Sequence, residues 1–211
     1  MTMIHIRIPN WLDRIFTFPL LVFRLIRYGY TFRRIYLSED AWTILDQQDY
    51  YRFAGFKWEI TGNDNKFYAV RNIMAGSSRT TAVRLHRLIL NAPQHLVVDH
   101  INGDSLDNRR ANLRLATHSQ NCCNKRKREN TSSRFMGVCF EKPKNKWCVR
   151  IRHNGKRIWL GRFDSEIAAA KVYDAAAKKY HGEFARLNFP EAQTQDIRRM
   201  TGKERPPSLL S

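Results

Sequence analysis

Four side chains between positions 99 and 121 have the types and order that metal-assisted hydrolysis of a phosphodiester requires. Asp99 and His100 follow the apolar run Leu96-Val97-Val98, Asn112 lies 12 residues after His100, and Asn121 lies further on. A hard cation prefers oxygen ligands, which the Asp99 carboxylate and the side-chain carbonyl of Asn121 can supply. The neutral imidazole of His100 can take a proton from water near neutral pH. Its other ring nitrogen needs an orienting partner, a role open to the Asn112 carbonyl oxygen. The cation would stabilise charge on the phosphate and on the leaving oxygen.

The surrounding residues predict elements that would bring these groups together. Leu96 to Ile101 reads as a short strand, and Asn102-Gly103-Asp104 as a turn. Thr117-His118-Ser119-Gln120 has the form of a capping box with Thr117 as N-cap, so Asn121 falls at the start of a helix running through Lys125-Arg126-Lys127-Arg128. The N-terminus of that helix would favour a nearby phosphate. The expected order is strand, loop, strand, helix, with one polar group from each part available to converge. Among the neighbours, His86 reads as a packing residue, His118 as a surface residue of the first helical turn, and Asp104 and Asp107 as turn formers. Asn108 is expected to bond its own loop. Arg109, Arg110 and Arg114 are candidate phosphate contacts, although a solvated loop has the same composition.

Upstream, Trp58 and Ile60 alternate with polar residues, Gly62-Asn63-Asp64-Asn65 is turn chemistry, and Phe67 to Val70 resumes an extended pattern, so residues 57–72 predict a hairpin. Residues 83–90 are apolar and basic and stop at Asn91-Ala92-Pro93. Residues 1–35 alternate apolar and basic, and Pro19 interrupts their helical periodicity. They read as a helix packed on the rest of the protein, with a membrane-surface helix using Arg14, Arg24 and Arg27 as the rival.

Downstream, the pattern changes to period two. In Lys146 to Arg152, Trp147, Val149 and Ile151 point one way, while Lys146, Cys148, Arg150 and Arg152 point the other. Asn154-Gly155 supplies a hairpin turn, after which Ile158 and Leu160 face the core and Arg157 and Trp159 face away. Asp164 or Ser165 opens a helix whose Ala169, Val172, Tyr173, Ala176 and Tyr180 are spaced to face a sheet, and Gly182 can end it. One face of this sheet is therefore cationic and carries a tryptophan. Such a face can enter a major groove, with arginine reading guanine or holding phosphate.

Charge and composition agree with an anionic partner. The 211 residues carry 37 Lys+Arg against 19 Asp+Glu, a net +18, with 43% hydrophobic residues. That is enough apolar content for a core, and the basic excess favours nucleic acid or a membrane surface. No apolar run reaches the length of a membrane span, and no secretory cleavage site follows Ile15 to Phe23. Of the four cysteines, none forms a C-x-x-C pair. Free thiols in a reducing compartment are the expectation, although Cys139 and Cys148 could face each other across a hairpin.

Two resemblances rest on these residues. "LHRLIL", "VVDHINGDSLDNRRANLR" and "ATHSQN", within 83–124, resemble the HNH endonucleases, and more closely their homing-endonuclease-like branch; the likeness extends back through "KFYAVR" to residue 35. It implies a ββα-metal fold with Asp99 and Asn121 as metal ligands, His100 as general base and Asn112 as its orienter. Many members carry His where Asn121 stands. Residues 134–190, "FMGVCFEKPKNKWCVRIRHNGKRIWLGRFDSEIAAAKVYDAAAKKYHGEFARLNFP", resemble the AP2 DNA-binding domain known from plant regulators and from phage and bacterial HNH proteins. This implies a three-stranded antiparallel sheet packed on one helix, with Arg152, Arg157 and Trp159 at DNA-contacting positions and Lys146 and Arg150 beside them. Met136, Cys139 and Glu141 depart from the arginines common in plant domains, so plant target specificity does not carry over.

The expected architecture is α+β: an apolar and basic segment over 1–35, an HNH domain with its hairpin-containing leader over 36–128, a linker at 129–133, an AP2 domain over 134–190 and a disordered tail over 191–211. The expected activity is metal-dependent DNA cleavage, with Mg2+ as cofactor or Mn2+ in its place. Double-stranded DNA is the expected partner, without a membrane or a protein partner, in a cytoplasmic, DNA-associated setting. Three rivals remain: a DNA-binding regulator with a vestigial nuclease site, membrane attachment through residues 1–30, and an RNA-directed protein. The last is disfavoured because the A-form major groove is too narrow and deep for a sheet.

Overall fold

The structure, a computed structural model, describes residues 10–63, 66–75, 79–124 and 131–190. The basic run at 125–128, the first two residues of the expected linker, the turn residues Asp64 and Asn65, and the tail from 191 lie outside the described residues. Among the described residues the fold is α+β, with four small sheets and α-helices of 5 to 19 residues. The chain forms two compact units: one takes the residues up to Asn91 together with Asp104–Leu113, the other takes Ala92–Gly103 and the chain from Arg114 onward.

The first unit opens with helix α1 (Asn10–Tyr28), which runs through Pro19 without a break. Asp13, Thr17 and Arg24 form a polar stripe that faces the fold, while Arg14 and Arg27 are exposed. Asp13 accepts hydrogen bonds from Arg33 Nη1 at 2.8 Å and from the Tyr51 hydroxyl at 2.8 Å, and Arg24 is buried against the Phe32 carbonyl. Phe16, Phe18, Phe23 and Ile26 are exposed, so the helix packs on the fold through its polar stripe and Leu21 rather than through its apolar stripe. Among the described residues, no helix is long and apolar enough to cross a membrane.

Strands β1 (Arg33–Tyr36) and β2 (Trp42–Leu45) pair antiparallel, and helix α2 (Gln47–Phe53) follows. The predicted hairpin is present as β3 (Glu59–Asn63) and β4 (Lys66–Ala75), joined in one sheet by β5 (Arg79–Arg84). Helix α3 (Leu85–Ile89) buries His86 edge-on against the Tyr68 ring, the packing role expected for it.

The segment Asp104–Leu113 is fixed on this unit by β2. Ile44 N donates to the Leu106 carbonyl at 3.0 Å, Asn108 N donates to the Ile44 carbonyl at 2.8 Å, and Asn108 Nδ2 donates to Thr43 Oγ1 at 2.7 Å. Asn108 is thus a buried tie to β2. Asp104 forms the expected local turn by accepting from Leu106 N.

In the second unit, β6 (Val97–His100) pairs with β7 (Leu113–Ala116), and helix α4 (His118–Cys123) follows. The capping box is complete: Gln120 N donates to Thr117 Oγ1 at 3.2 Å, and Thr117 N donates to Gln120 Oε1 at 2.8 Å. The helix is capped at its C-terminus by Asn124, whose side chain turns back to bond the end of β6, and the expected continuation through Lys125–Arg128 lies outside the described residues.

Strands β8 (Val138–Glu141), β9 (Lys146–His153) and β10 (Lys156–Phe163) form an antiparallel sheet with β9 in the centre. Helix α5 (Glu166–His181) begins at Ser165, whose hydroxyl accepts from Ala168 N, and ends at Gly182 with φ +55°. Val138, Val149 and Ile151 pack against Ala169, Ala170, Tyr173 and Ala177 of α5 in one core. Small alanines on the helix let it approach the sheet closely. The chain after α5 is tied back by Asp174, which accepts from Asn188 N and Phe189 N at 2.8 Å each.

Gly137 marks the tightest approach in this core. Its φ is +72°, and a Cβ there would sit 1.9 Å from the Tyr173 ring. Gly137→Ala should destabilise this unit by about 2–4 kcal/mol, combining left-handed strain with overpacking. Chemical denaturation followed by tryptophan fluorescence checks this; a change below about 0.5 kcal/mol, the scatter of ordinary surface substitutions, would refute it.

Candidate active site and nucleic-acid interface

Asp99 and His100 are both buried at the end of β6. The Asp99 carboxylate is held from two sides. Arg114, on β7, places Nε at 2.8 Å and Nη2 at 2.6 Å from Oδ2. Asn124, at the end of α4, donates Nδ2 to Oδ1 at 3.0 Å and to Oδ2 at 3.2 Å, and also to the His100 carbonyl at 2.9 Å. A carboxylate offers about four acceptor positions. The contacts crowd Oδ2 and leave Oδ1 with capacity for a further partner.

Asn121 lies on α4 one turn before Asn124, at the i, i+3 spacing that puts two side chains on one helix face. Asn124, at the end of that helix, is the residue that reaches Asp99. Asn121 is half-buried, whereas His118 in the first turn is exposed as expected. Burial pushes the Cys123 thiol up, with the nearby charges of Cys122 and Asp99 adding to the effect.

Asn112 belongs to the first unit. It is 1% exposed, and its Nδ2 donates to the Asp107 carbonyl at 2.8 Å, which makes the amide oxygen its accepting end. That polarity is the one the orienting role requires. The two arginines before it, expected at phosphate, are engaged within the fold. Arg109 makes a two-pronged pair with Asp107 at 2.8 and 2.6 Å and stacks over the Tyr30 ring at 3.4 Å. Burial opposes the Arg109 charge, but the bonds to Asp107 outweigh it and hold the guanidinium above its ordinary pKa. Asp107 is therefore an internal counter-ion rather than a turn former alone. Arg110 donates to both Asp49 oxygens, at 2.7 and 2.8 Å, while its backbone N donates to Asp46. Arg114, the third, is the partner of Asp99. A carboxylate pairs with each of the three: Asp107 with Arg109, Asp49 with Arg110 and Asp99 with Arg114.

Asp99 and the side-chain oxygens of Asn121 and Asn124 are oxygen donors suited to a hard cation. Among the described residues no cluster of three or more His, Cys, Asp or Glu side chains is placed to hold a metal. This donor set suits Mg2+ or Mn2+, which keep several waters and take one or two carboxylates plus substrate phosphate. It does not suit a caged zinc site.

The outer face of the second-unit sheet carries Arg150, Arg152, Arg157 and Trp159. Trp159 and Arg150 are cross-strand partners, as are Arg157 and Arg152. Trp159 is 44% exposed and lies between two guanidinium groups, Arg150 at 5.2 Å and Arg162 at 4.7 Å from its ring. Its exposure is thus supported by cation–π contacts rather than by burial. Lys146, counted with this face in the sequence, is ion-paired to Asp164. Arg162 was missed, although it follows Trp159 on the same strand; the bulge between Trp159 and Gly161 resets the alternation there. Its Nε donates to Glu141 at 2.6 Å, and that bond holds the Glu141 carboxyl below its ordinary pKa. Cys139 and Cys148 do face each other across β8 and β9 as free thiols.

Comparison with known proteins divides the chain at the same motifs. The HNH endonuclease family matches residues 84–122, and the AP2 domain family matches residues 133–183. An uncharacterized HNH endonuclease of Acanthamoeba polyphaga mimivirus is 33% identical over 138 residues, covering 63% of this chain and 71% of the viral protein. An AP2/ERF and B3 domain-containing protein of Oryza sativa subsp. japonica is 46% identical over 61 residues, and the dehydration-responsive element-binding protein 2A of Arabidopsis thaliana is 41% identical over 71 residues. These matches span 29% and 33% of this chain but only 16% and 21% of the plant proteins, so the likeness to them is confined to the AP2 region. With a buried Asp-His pair at the end of β6 inside the matched HNH residues and a relative 33% identical over 71% of its length, the chain belongs to the HNH endonuclease family and carries an AP2 domain after its HNH motif.

Proposed function

We propose that this protein is a metal-dependent DNA endonuclease that uses its AP2 sheet to hold duplex DNA. The observation that carries the reading is the Asp99 carboxylate at the end of β6, buried yet with acceptor capacity left on Oδ1, and bonded by the residue that ends α4, the helix that carries Asn121. Family membership supports nuclease chemistry, and the AP2 domain supports DNA binding.

His100 takes the proton of a water whose oxygen attacks phosphorus; the bond from phosphorus to the leaving oxygen breaks, and that oxygen is protonated from solvent. Asn112 would hold the His100 ring through its amide oxygen. Asp99 and Asn121 would hold Mg2+ or Mn2+, which when bound neutralises charge on the phosphate and the leaving oxygen. On the sheet, Arg150, Arg152 and Arg157 would hold phosphates or base edges, and Trp159 would pack on sugar or base.

A second reading, a DNA-binding regulator that no longer cuts, is favoured by one observation: Asp99 already has a cationic partner in Arg114. Nicking of supercoiled plasmid with Mg2+ or Mn2+ separates the two. The wild type should nick, and His100→Ala and Asn121→Ala should each lose about 100-fold or more while still binding DNA. Tight binding by the wild type without cleavage on its own target DNA would establish the regulator instead.

The Glu141–Arg162 pair gives a separate test of the sheet. The pair holds an arginine beside Trp159 away from any phosphate. Glu141→Gln should release it, tightening DNA binding about two- to three-fold and steepening the logarithmic salt dependence by about one. Fluorescence anisotropy over a salt series measures both; an unchanged slope would mean that Arg162 does not reach the backbone.

A further inference from the structure

Arg114 has a second set of partners. Besides Asp99, its guanidinium donates Nη1 to the Glu183 carbonyl and lies over the Phe184 ring at 4.2 Å. Both belong to the short 3-10 turn that follows α5 (Gly182–Phe184). Arg186, just beyond, places Nη1 3.4 Å from the Asn124 carbonyl. The Arg114 guanidinium and the Asn124 backbone carbonyl are therefore both held by residues 183–186, at and just beyond the end of the AP2 match, and all of these residues lie in one compact unit. Arg114 itself is only 13% exposed at its side chain, so its charge is directed inward.

We propose that Arg114 is a positioning residue through which the AP2 domain sets the geometry of the proposed metal-ligand carboxylate. This rests on the nuclease reading above. Two donors from one rigid guanidinium fix the Asp99 plane and occupy Oδ2, directing Oδ1 to the cation. The same positive charge opposes a cation at Asp99, so the site binds metal weakly by itself. The phosphate of bound DNA would supply the missing negative charge. Metal loading is thereby made to depend on substrate, and the AP2 turn fixes the carboxylate that performs it.

The test uses the full-length chain, comparing the wild type with Arg114→Ala, Arg114→Lys and Phe184→Ala. Three quantities are measured: Mn2+ affinity by the loss of free-Mn2+ electron paramagnetic resonance signal, DNA affinity by anisotropy, and single-turnover nicking at saturating DNA and Mn2+. Arg114→Ala should bind Mn2+ about five-fold or more tightly, because the opposing charge is gone, yet nick about 10- to 100-fold more slowly, because the carboxylate is no longer fixed. DNA affinity should stay within about two-fold, since the charge faces inward. Arg114→Lys should keep wild-type Mn2+ affinity and recover part of the rate. Phe184→Ala, which keeps the charge but removes its support, should slow nicking without tightening Mn2+ binding. A general loss of structure would weaken all three quantities together, so weaker Mn2+ binding by Arg114→Ala overturns the proposal. Unchanged Mn2+ affinity and rate in Arg114→Ala overturn it while leaving the nuclease reading intact. A wild type that neither binds Mn2+ nor nicks removes both.

Discussion

A buried carboxylate must be compensated, and the way this protein compensates Asp99 governs the arrangement around it. An ionised group placed in a protein interior needs charge and hydrogen bonds close by, or it gives up its charge. Arg114 supplies the charge and Asn124 the remaining donor. Each of these then requires its own place: Arg114 fixes β7 against β6, and Asn124 ends α4 where its amide can also reach the His100 carbonyl. Strand pairing, the end of α4 and the position of the His100 backbone at the end of β6 are thus tied to one electrostatic demand.

The same logic repeats in the first unit. Asp49 and Asp107 are each fully buried, and each is answered by an arginine from the segment that carries Asn112. Removing one partner of such a pair strands the other charge, which is why these pairs are destabilising to break even where their net contribution is small. They act as register pins for a segment with little regular structure. In the sheet of the second unit the balance is reversed. There the arginines outnumber their acidic partners, and Arg150, Arg152 and Arg157 stand exposed on one face. Excess charge at a surface points to an anionic partner, whereas matched charge in the interior points to architecture.

Much of this was legible in the sequence. The alternation in Lys146–Arg152, the Asn154-Gly155 turn and the spacing of Ala169, Tyr173 and Ala176 each report a local rule, and β9, β10 and α5 obey it. The Thr117–Gln120 capping box did the same for α4. What was not legible depends on contacts distant in sequence. Arg109, Arg110 and Arg114 look alike in a basic loop, and only the placement of Asp107, Asp49 and Asp99 separates an internal ion pair from a phosphate contact. Asn124 gave no signal beyond its i+3 relation to Asn121. Helix α1 carries an apolar stripe that ordinarily faces a core, yet the Asp13–Arg33–Tyr51 network turns its polar stripe inward. Arg162 was hidden by a bulge, which shifts the two-residue period by one.

The path of the chain through its two units has a consequence for heredity. A domain that occupies one unbroken stretch of sequence can be gained or lost by a single recombination event. Here the segment Asp104–Leu113 leaves one unit and returns, and the partners of Arg114 lie some seventy residues downstream in the AP2 region. A crossover placed between the HNH motif and the AP2 domain would hand on a nuclease motif lacking the turn that supports its arginine. Under the positioning role proposed for Arg114, an exchanged AP2 domain would need a residue at 184 that supports the guanidinium as Phe184 does. The boundary that looks most separable on paper is therefore one across which inheritance is constrained to travel in pairs.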